Sequence, residues 1–206
     1  MNKKVFVTGS SGLIGSQLVL RLLEEKFKVI CYDLKSPKKK IYNKNIKFLN
    51  GSILDKKKLK KSIGNSEVII HLAAYLGVKN TEDNKLNCLD VNIEGTKNLL
   101  DIARSKRIKK FIFASSSEIY GEQKKFPINE NAEAKFKSIY GLSKIVSENY
   151  VKSYNQKHNL NYNIIRFFNV YGNEQNKHFV ITKFVNQLKK NKPLKIFGKG
   201  NQIRSF

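Results

Sequence analysis

The chain is poor in cysteine, proline and carboxylates, and it lacks tryptophan and any long apolar run. Its 206 residues include 2 Cys, 3 Pro and 16 Asp or Glu. Two cysteines, Cys31 and Cys88, are too few for a disulfide framework and lack metal-site spacing, so we expect no metal and reduced thiols in a cytoplasmic protein. No apolar run approaches the roughly 20 residues of a membrane-spanning helix. MNKKVFVTG enters a predicted strand without an apolar leader, which argues against secretion.

The scarcity of acidic residues leaves a formal net charge of +24, from 40 basic and 16 acidic side chains. Such a charge is typical of nucleic-acid binding, or it reflects a composition rich in lysine. The lysines are scattered, and the local runs at 38–40 and 56–61 lie beside a predicted turn and at a helix start. We therefore expect no nucleic-acid partner, although the positive field would attract anionic substrates.

Apolar runs alternate with helical patterns along the chain. The pattern predicts strands at 5–8, 28–33, 46–50, 67–74, 109–116 and 162–170. It predicts helices at 13–26, 87–106, 138–158 and 179–190. Strands that alternate with helices indicate an α/β protein whose parallel sheet is covered on both faces.

The glycine cluster in VFVTGSSGLIGS (5–16) follows the first strand and opens the first helix. In that context Gly9 allows a tight turn, Gly12 lets a pyrophosphate approach the backbone, and Gly15 lets helix and strand pack closely. The free N–H groups of the helix would then bind the phosphates. The alternative is a plain serine- and glycine-rich helix cap.

Asp33 ends the second predicted strand, 18 residues after Gly15. A carboxylate at this place accepts hydrogen bonds from ribose hydroxyls and repels the additional phosphate of NADP. Asp33 therefore favours dinucleotide binding over a simple cap, and it favours NAD.

Tyr140 and Lys144 lie four residues apart on a predicted helix, so they share one face. A tyrosine has a pKa near 10, and a nearby cation favours its phenolate. We expect Lys144 to lower the pKa of Tyr140, which would then act as a general base on a substrate hydroxyl. The alternative is an unrelated pair on a surface helix.

Three serines, Ser115, Ser116 and Ser117, follow the fifth predicted strand. Ligands bind at the carboxyl ends of strands in parallel sheets, so these hydroxyls are candidates for contact with the substrate. A serine-rich turn that only caps the strand is the alternative.

Six segments carry a family resemblance: TGSSGLIG (8–15), HLAA (71–74), DVNIEGT (90–96), FASSSEIYG (113–121), YGLSK (140–144) and RFFNVYG (166–172). In this order they resemble the extended short-chain dehydrogenase/reductases, specifically the NAD-dependent epimerase/dehydratase group. The resemblance implies a doubly wound parallel sheet in strand order 3-2-1-4-5-6. It also implies an NAD-binding and catalytic domain at 1–172 and part of a substrate lobe at 173–206.

The resemblance implies NAD-dependent epimerisation of a nucleotide-linked sugar, through transient oxidation and re-reduction. A decarboxylase, dehydratase or reductase on the same scaffold is the alternative within enzymes. A non-catalytic NAD-binding or basic interaction module is the alternative from another class. The resemblance further suggests a homodimer formed through the two long helices.

The resemblance assigns roles to individual positions. The implied catalytic residues are Ser116, Glu118, Tyr140 and Lys144. The implied cofactor-binding residues are Gly9, Gly12, Leu13, Ile14, Gly15, Asp33, Ser52, Ile53, Leu72, Ala73, Ala74, Asn92, Tyr140 and Lys144. The implied substrate-binding residues are Ser116, Ser117 and Asn169.

The chain departs from the family pattern at three places. Dehydratases of the family carry Asp-Glu where this chain has Ser117-Glu118, which disfavours dehydration and leaves Glu118 either catalytic or a plain surface residue. Gly51-Ser52-Ile53 lacks the usual Asp that contacts adenine. Members are longer, so we expect a truncated substrate lobe to which Arg204 belongs.

Overall fold

The computed structural model describes residues 3–37, 41–172, 175, 179–196, 198 and 200. Six strands of this part form one parallel sheet in the order β3-β2-β1-β4-β5-β6, which confirms the predicted order. Their bounds are β1 Lys4–Thr8, β2 Lys28–Asp33, β3 Ile46–Asn50, β4 Val68–His71, β5 Lys110–Ser116 and β6 Tyr162–Phe167. The order reverses direction between β1 and β4, where ligands of such sheets bind.

Helices connect the strands. Their bounds are α1 Leu13–Glu24, α2 Lys56–Ile63, α3 Val78–Asp83, α4 Lys85–Leu89, α5 Gly95–Ser105, α6 Ile139–His158 and α7 Val180–Leu188. The helix predicted at 87–106 is interrupted, because a π-helical turn at Asp90–Glu94 separates α4 from α5. Such turns occur frequently at functional sites.

Two apolar layers cover the sheet. One contains Phe6, Tyr32, Leu99 and Phe111, all fully buried, and it packs the sheet against α2, α5 and α6. The other is centred on Val5, Val7, Val19 and Cys31 and packs the opposite face against α1. Alternate side chains of each central strand enter opposite layers, which explains why these strands are apolar at nearly every position.

The chain divides into two compact units, residues 1–167 and 168–206. The predicted boundary between 172 and 173 lies five residues later, because β6 ends at Phe167 rather than at residue 170. In the second unit α7 has no buried residue, and its Val180, Val185 and Leu188 are exposed. The assignment of this unit as a substrate lobe stays a prediction. The predicted site residue Arg204 and the lysines at 38–40 lie outside the described residues.

None of the helices in the described ranges is both long and apolar enough to cross a membrane.

Candidate active site

The glycine turn links β1 to α1 at the carboxyl edge of the sheet. Gly9 has a φ of +68°, and a Cβ built there would lie 2.6 Å from the amide nitrogen of Ala73. A Cβ on Gly15 would lie 2.1 Å from the carbonyl oxygen of Gly9, so both glycines are sterically required. Gly12 differs, because its nearest contact would be 3.3 Å away. The turn therefore leaves room only over Gly12, where a ligand can reach the backbone.

The amino end of α1 has no side-chain cap. Gly12 is its N-cap residue, and Leu13 and Ile14 form its first turn. The first N–H groups of a helix lack partners within the helix, and they carry a partial positive charge. This end of α1, beside the open face of Gly12, fits a phosphate group.

Asp33 ends β2 next to the turn. Its Oδ2 accepts a hydrogen bond of 2.9 Å from the amide of Ser11, and its Oδ1 accepts one of 3.1 Å from the amide of Lys35. The Ser11 hydroxyl donates to the Lys35 carbonyl at 2.8 Å. Asp33 thus joins the glycine turn to the loop after β2, and its carboxylate lies where the sequence predicts it.

A series of buried side chains linked by hydrogen bonds lies next to the glycine turn. The His71 ring lies between two threonine hydroxyls, with Nδ1 2.8 Å from Thr8 Oγ1 and Nε2 3.0 Å from Thr96 Oγ1. Thr96 donates its proton to the Asn92 carbonyl, so His71 Nε2 donates to Thr96 and Nδ1 accepts from Thr8. Burial, and to a smaller extent the charge of Lys144, lower the pKa of His71 to about 3. His71 is therefore a neutral structural residue.

The loop after β4 contains Leu72, Ala73 and Ala74, which are half-buried near the glycine turn. The Leu72 amide donates to the Thr8 carbonyl at 3.2 Å. The Ala73 amide donates to the Thr8 hydroxyl at 3.2 Å. These bonds fix the loop against β1, on the side where the resemblance predicts cofactor contacts.

Asn92 occupies the π-helical turn and is almost fully buried. Its Oδ1 accepts from the Tyr75 amide at 2.8 Å, and its Nδ2 donates to the Tyr75 carbonyl at 3.1 Å. Nδ2 also donates to the Ser143 hydroxyl at 2.9 Å, and Ser143 donates to the Tyr140 carbonyl. Asn92 therefore connects the loop after β4 to the helix that carries the predicted base. Its predicted contact with the cofactor stays a prediction.

Tyr140 and Lys144 lie in the first two turns of α6, which begins after the N-cap residue Ser138. Lys144 is buried, and its Nζ donates a 2.8 Å hydrogen bond to the carbonyl of Ala114 in β5. Nζ lies 5.6 Å from the centre of the Tyr140 ring and 4.8 Å from that of Phe113. The structure thus places the ammonium group beside the tyrosine, as the spacing predicts.

The pKa of Tyr140 departs from expectation. Burial raises it to about 12, the hydrogen bond with Ser116 lowers it, and the charge of Glu118 raises it. Burial also lowers the pKa of Lys144 to about 8. The ammonium of Lys144 is directed at the Ala114 carbonyl, and the desolvation of the phenol outweighs the contributions that lower its pKa. The expected lowering of the Tyr140 pKa by Lys144 alone is therefore wrong for this structure.

The serine segment after β5 lies next to Tyr140. Ser116 is buried, bonds the Tyr140 phenol and accepts a hydrogen bond from the Glu118 amide at 3.2 Å. Ser117 is half-buried and begins a short 3-10 turn, Ser117–Ile119. Glu118 is exposed, yet its charge acts on the phenol. The structure therefore brings Ser116, Glu118, Tyr140 and Lys144 together at one edge of the sheet.

An ion pair that the sequence analysis missed holds the same segment. Arg166 of β6 donates from Nε and Nη2 to the two carboxylate oxygens of Glu148, at 2.9 and 2.8 Å. Its Nη1 donates to the Tyr120 hydroxyl at 2.8 Å and the Glu130 carbonyl at 2.7 Å. Burial raises the pKa of Glu148, but the hydrogen bonds from Arg166 and Ser115 and the charges of Arg166 and Lys152 together outweigh burial, so the net shift is downward. One signal was present, namely a single arginine inside the apolar strand YNIIRF.

Ser52 and Ile53 follow β3. The Ser52 carbonyl accepts from the Tyr32 hydroxyl at 3.1 Å, and its own hydroxyl accepts from the Leu54 amide at 3.2 Å. The Ile53 side chain is buried and packs in the core. Any cofactor contact of Ile53 would therefore come from its backbone. Asn169 lies after β6 in the second unit, and its predicted substrate contact stays a prediction.

The described residues fit a dinucleotide and show no metal site. The open face of Gly12, the uncapped start of α1 and the carboxylate of Asp33 offer what a pyrophosphate and a ribose require. Across these ranges no three His, Cys, Asp or Glu side chains gather as metal ligands would. The fold and the site thus define the class of dinucleotide-binding proteins, and Ser116, Tyr140 and Lys144 lie together at the same edge of the sheet.

Comparison with known proteins agrees with this class. The model of the family described as "NAD dependent epimerase/dehydratase family" matches residues 5–206. The chain belongs to this family, which confirms the expected fold, the enzyme class and the dependence on NAD. Among its relatives are epimerases that act on nucleotide-linked sugars, as the resemblance implies.

Three similar proteins illustrate the relationship. A putative UDP-glucose 4-epimerase of Methanocaldococcus jannaschii is 40% identical, over 98% of this chain and 68% of that protein. The UDP-glucose 4-epimerase of Thermotoga maritima, solved with UDP-glucose, has a TM-score of 0.92 and 32% identity, over 98% of this chain and 68% of that one. The UDP-glucuronic acid 4-epimerase of Bacillus cereus, solved with UDP-glucuronic acid and NAD, has a TM-score of 0.88 and 29% identity, over the same shares.

Proposed function

We propose that the chain catalyses epimerisation of a nucleotide-linked sugar, with Tyr140 as the base that deprotonates the reacting hydroxyl. The contact between the Tyr140 phenol and Ser116, with the buried ammonium of Lys144 beside them, is the observation that carries the proposal.

Ser116 and Tyr140 would share the substrate hydroxyl. Ser116 already bonds the phenol, so a sugar hydroxyl between them could donate to Tyr140 and accept from Ser116. The proton of the sugar hydroxyl would move to the Tyr140 oxygen during oxidation and return during reduction. Because the sugar begins and ends at the same oxidation level, no external reductant is needed.

The high pKa of Tyr140 must fall for this role. Lys144 has a pKa of about 8, so it is mostly charged at neutral pH, and its charge would favour the phenolate against the dominant effect of desolvation. When bound, NAD supplies the acceptor and donor of hydride and, in its oxidised form, a positive charge. Gly9, Gly12 and the start of α1 would hold its pyrophosphate, and Asp33 its ribose.

Glu118 distinguishes the enzymatic alternatives. Its charge raises the pKa of the Tyr140 phenol, which supports a role for its exposed carboxylate close to the reacting groups. A nucleotide-sugar decarboxylase or dehydratase could use it as an acid or base. The preceding Ser117 offers only a hydroxyl where a dehydratase would carry a second carboxylate, so we favour epimerisation.

The setting of the reaction is also part of the proposal. We infer a cytoplasmic protein, because both cysteines are buried free thiols. A homodimer formed through α5 and α6 and substrate contact by Asn169 follow from the family resemblance. Light scattering of the purified chain tests the dimer.

The variant Tyr140→Phe tests the proposal. It removes the proton acceptor and keeps the ring, so NAD binding should stay within about twofold while turnover falls by about a hundredfold or more. Calorimetry measures NAD binding, and chromatography of UDP-, GDP- and dTDP-sugars measures turnover. Tyr150→Phe, on the same helix, is the matched control. Full turnover in Tyr140→Phe would contradict the proposal.

A further inference from the structure

A second cleft lies at the opposite edge of the sheet from the glycine turn. It has a volume of about 350 Å³ and is formed by the amino ends of β1, β2 and β3 and the carboxyl end of α2. Strand β1 spans five residues, so the cleft and the turn lie roughly 16 Å apart. The residues of the cleft that carry the argument are Lys4, Lys28, Lys44, Lys47, Lys61 and Ser62.

The strand register gathers three of these lysines on one face. Lys4 of β1 lies opposite Lys28 of β2, and Ile30 of β2 lies opposite Lys47 of β3. Lys28 and Ile30 are two residues apart, so they project from the same face of β2. Lys4, Lys28 and Lys47 therefore leave the same face of three adjacent strands, which are about 4.8 Å apart.

The cleft holds positive charge without a compensating carboxylate. No Asp or Glu lines it, and across the described ranges none of its five lysines forms an ion pair. Lys4 Nζ donates to the side-chain oxygen of Asn65 at 2.7 Å. The backbone amide of Glu67 donates to the Lys4 carbonyl, but the Glu67 carboxylate forms an ion pair of 2.6 Å with Lys109.

The end of α2 brings no full negative charge to the cleft, because its last carbonyl groups carry only a partial negative charge. The ammonium of Lys106 donates to the Gly64 carbonyl at 2.9 Å and adds a further cation at this end of the helix.

We propose that this cleft binds a compact multivalent oxyanion, of the kind that a triphosphate or tripolyphosphate presents. Like charges opposite one another on adjacent strands repel, and an anion between them removes that repulsion. Lysine ammonium groups bind phosphate as point charges, and the Ser62 hydroxyl adds a hydrogen-bond donor. The volume falls in the range of small-molecule sites. The site is independent of the dinucleotide site and of the proposed reaction.

Nuclear magnetic resonance of the full chain tests the proposal, with inorganic tripolyphosphate as the probe at physiological salt. Saturable shifts of the Lys28, Lys47, Lys61 and Gly64 amides are expected. Inorganic phosphate should bind at the same amides and more weakly, because it carries fewer charges. Saturating NAD should leave the shifts in place, since the glycine turn lies at the other edge.

Two double variants with equal loss of charge make the test specific. Lys28→Gln with Lys47→Gln should weaken tripolyphosphate binding about tenfold or more, because each removes a direct charge contact. Lys57→Gln with Lys58→Gln, on the same α2 helix but outside the cleft, should leave the affinity within about twofold. Circular dichroism confirms that both variants fold.

Three outcomes would overturn the proposal. The first is a set of shifts spread over the surface without saturation, as general attraction to a charge of +24 would produce. The second is a set of shifts confined to Gly9, Gly12 and α1, which would assign the anion to the dinucleotide site. The third is tighter binding of a short single-stranded oligonucleotide than of tripolyphosphate at the cleft, which would indicate a nucleic-acid surface.

Discussion

His71 should make the stability of the protein depend on pH in a predictable way. Burial holds its folded-state pKa at about 3, whereas the unfolded chain has the ordinary value near 6.5. Between these values the unfolded state binds more protons, so the free energy of unfolding rises with pH. Stability contributed by neutral His71 is therefore complete above pH 6.5 and is lost as the pH falls toward 3.

The magnitude follows from the two pKa values. Each pH unit in the window changes the free energy of unfolding by about 1.4 kcal/mol, so His71 accounts for a loss of about 2 kcal/mol between pH 7 and pH 5. The full difference of the two values corresponds to about 5 kcal/mol. The structural reason is that Nδ1 accepts from Thr8 while Nε2 donates to Thr96, an arrangement that only the neutral ring completes.

Urea denaturation at several pH values measures this slope in the wild type and in His71→Asn. The variant should have lower stability at pH 7 and should lack the His71 part of the slope. His158→Asn is the matched control, because it keeps His71 and therefore keeps the His71 contribution to the pH dependence of the free energy of unfolding. Equal slopes in wild type and His71→Asn would refute the reasoning, as would an imidazole resonance of His71 that titrates near pH 6.5.

Further substitutions distinguish packing from ligand contact. Gly15→Ala places a Cβ 2.1 Å from the Gly9 carbonyl oxygen and should reduce stability by several kcal/mol. Gly12→Ala places its Cβ 3.3 Å from the same oxygen, so it should keep stability within about 1 kcal/mol and still weaken NAD binding. Equal melting temperatures of the two variants would contradict this. Arg166→Met removes the two hydrogen bonds that Glu148 accepts from the guanidinium, leaves the buried carboxylate only the longer ion pair of 3.8 Å with Lys152 and the hydrogen bond with Ser115, and should cost about 3 kcal/mol in urea denaturation. Arg166→Met with Glu148→Met should recover part of that loss, and a double variant as unstable as the single one would show that the pair is not the cause.

Much of the fold was predictable because the signals are local. Each strand is a short apolar run, and the alternation with helices allows few topologies for the sheet. The glycine spacing could be interpreted from backbone sterics alone, and Gly9 and Gly15 show the close contacts that the turn requires. Family resemblance then supplied the strand order, which the structure confirms.

The rest depends on contacts between distant residues. The helical pattern does not reveal the interruption at Asp90–Glu94. Asn92 makes its hydrogen bonds there with Tyr75, Ser143 and Ser147, which are distant in the sequence. Likewise Arg166 and Glu148 are 18 residues apart, and only the packing of α6 on β6 makes them partners. The raised pKa of Tyr140 comes from burial, which its spacing from Lys144 does not reveal.

Side-chain hydrogen bonds attach α6 to neighbouring elements near Tyr140. Lys144 bonds the backbone of β5, Ser143 accepts from Asn92, and Ser147 donates to the Asn92 carbonyl at 2.9 Å. Two consecutive turns of α6 are thus attached to neighbouring elements. For the proposed role of Tyr140 as the base, such attachment would keep the phenol in place, as hydride transfer over a short distance requires.

The most direct test of the account is identification of the nucleotide that the protein binds. The purified chain is denatured, the released small molecules are analysed by absorbance and mass, and the refolded or nucleotide-free protein is titrated with NAD and NADP. The account predicts that NAD or NADH is released or binds on titration, and that NADP binds more weakly because of Asp33. If no dinucleotide is released and none binds, the assignment of the glycine turn and of the reaction is wrong.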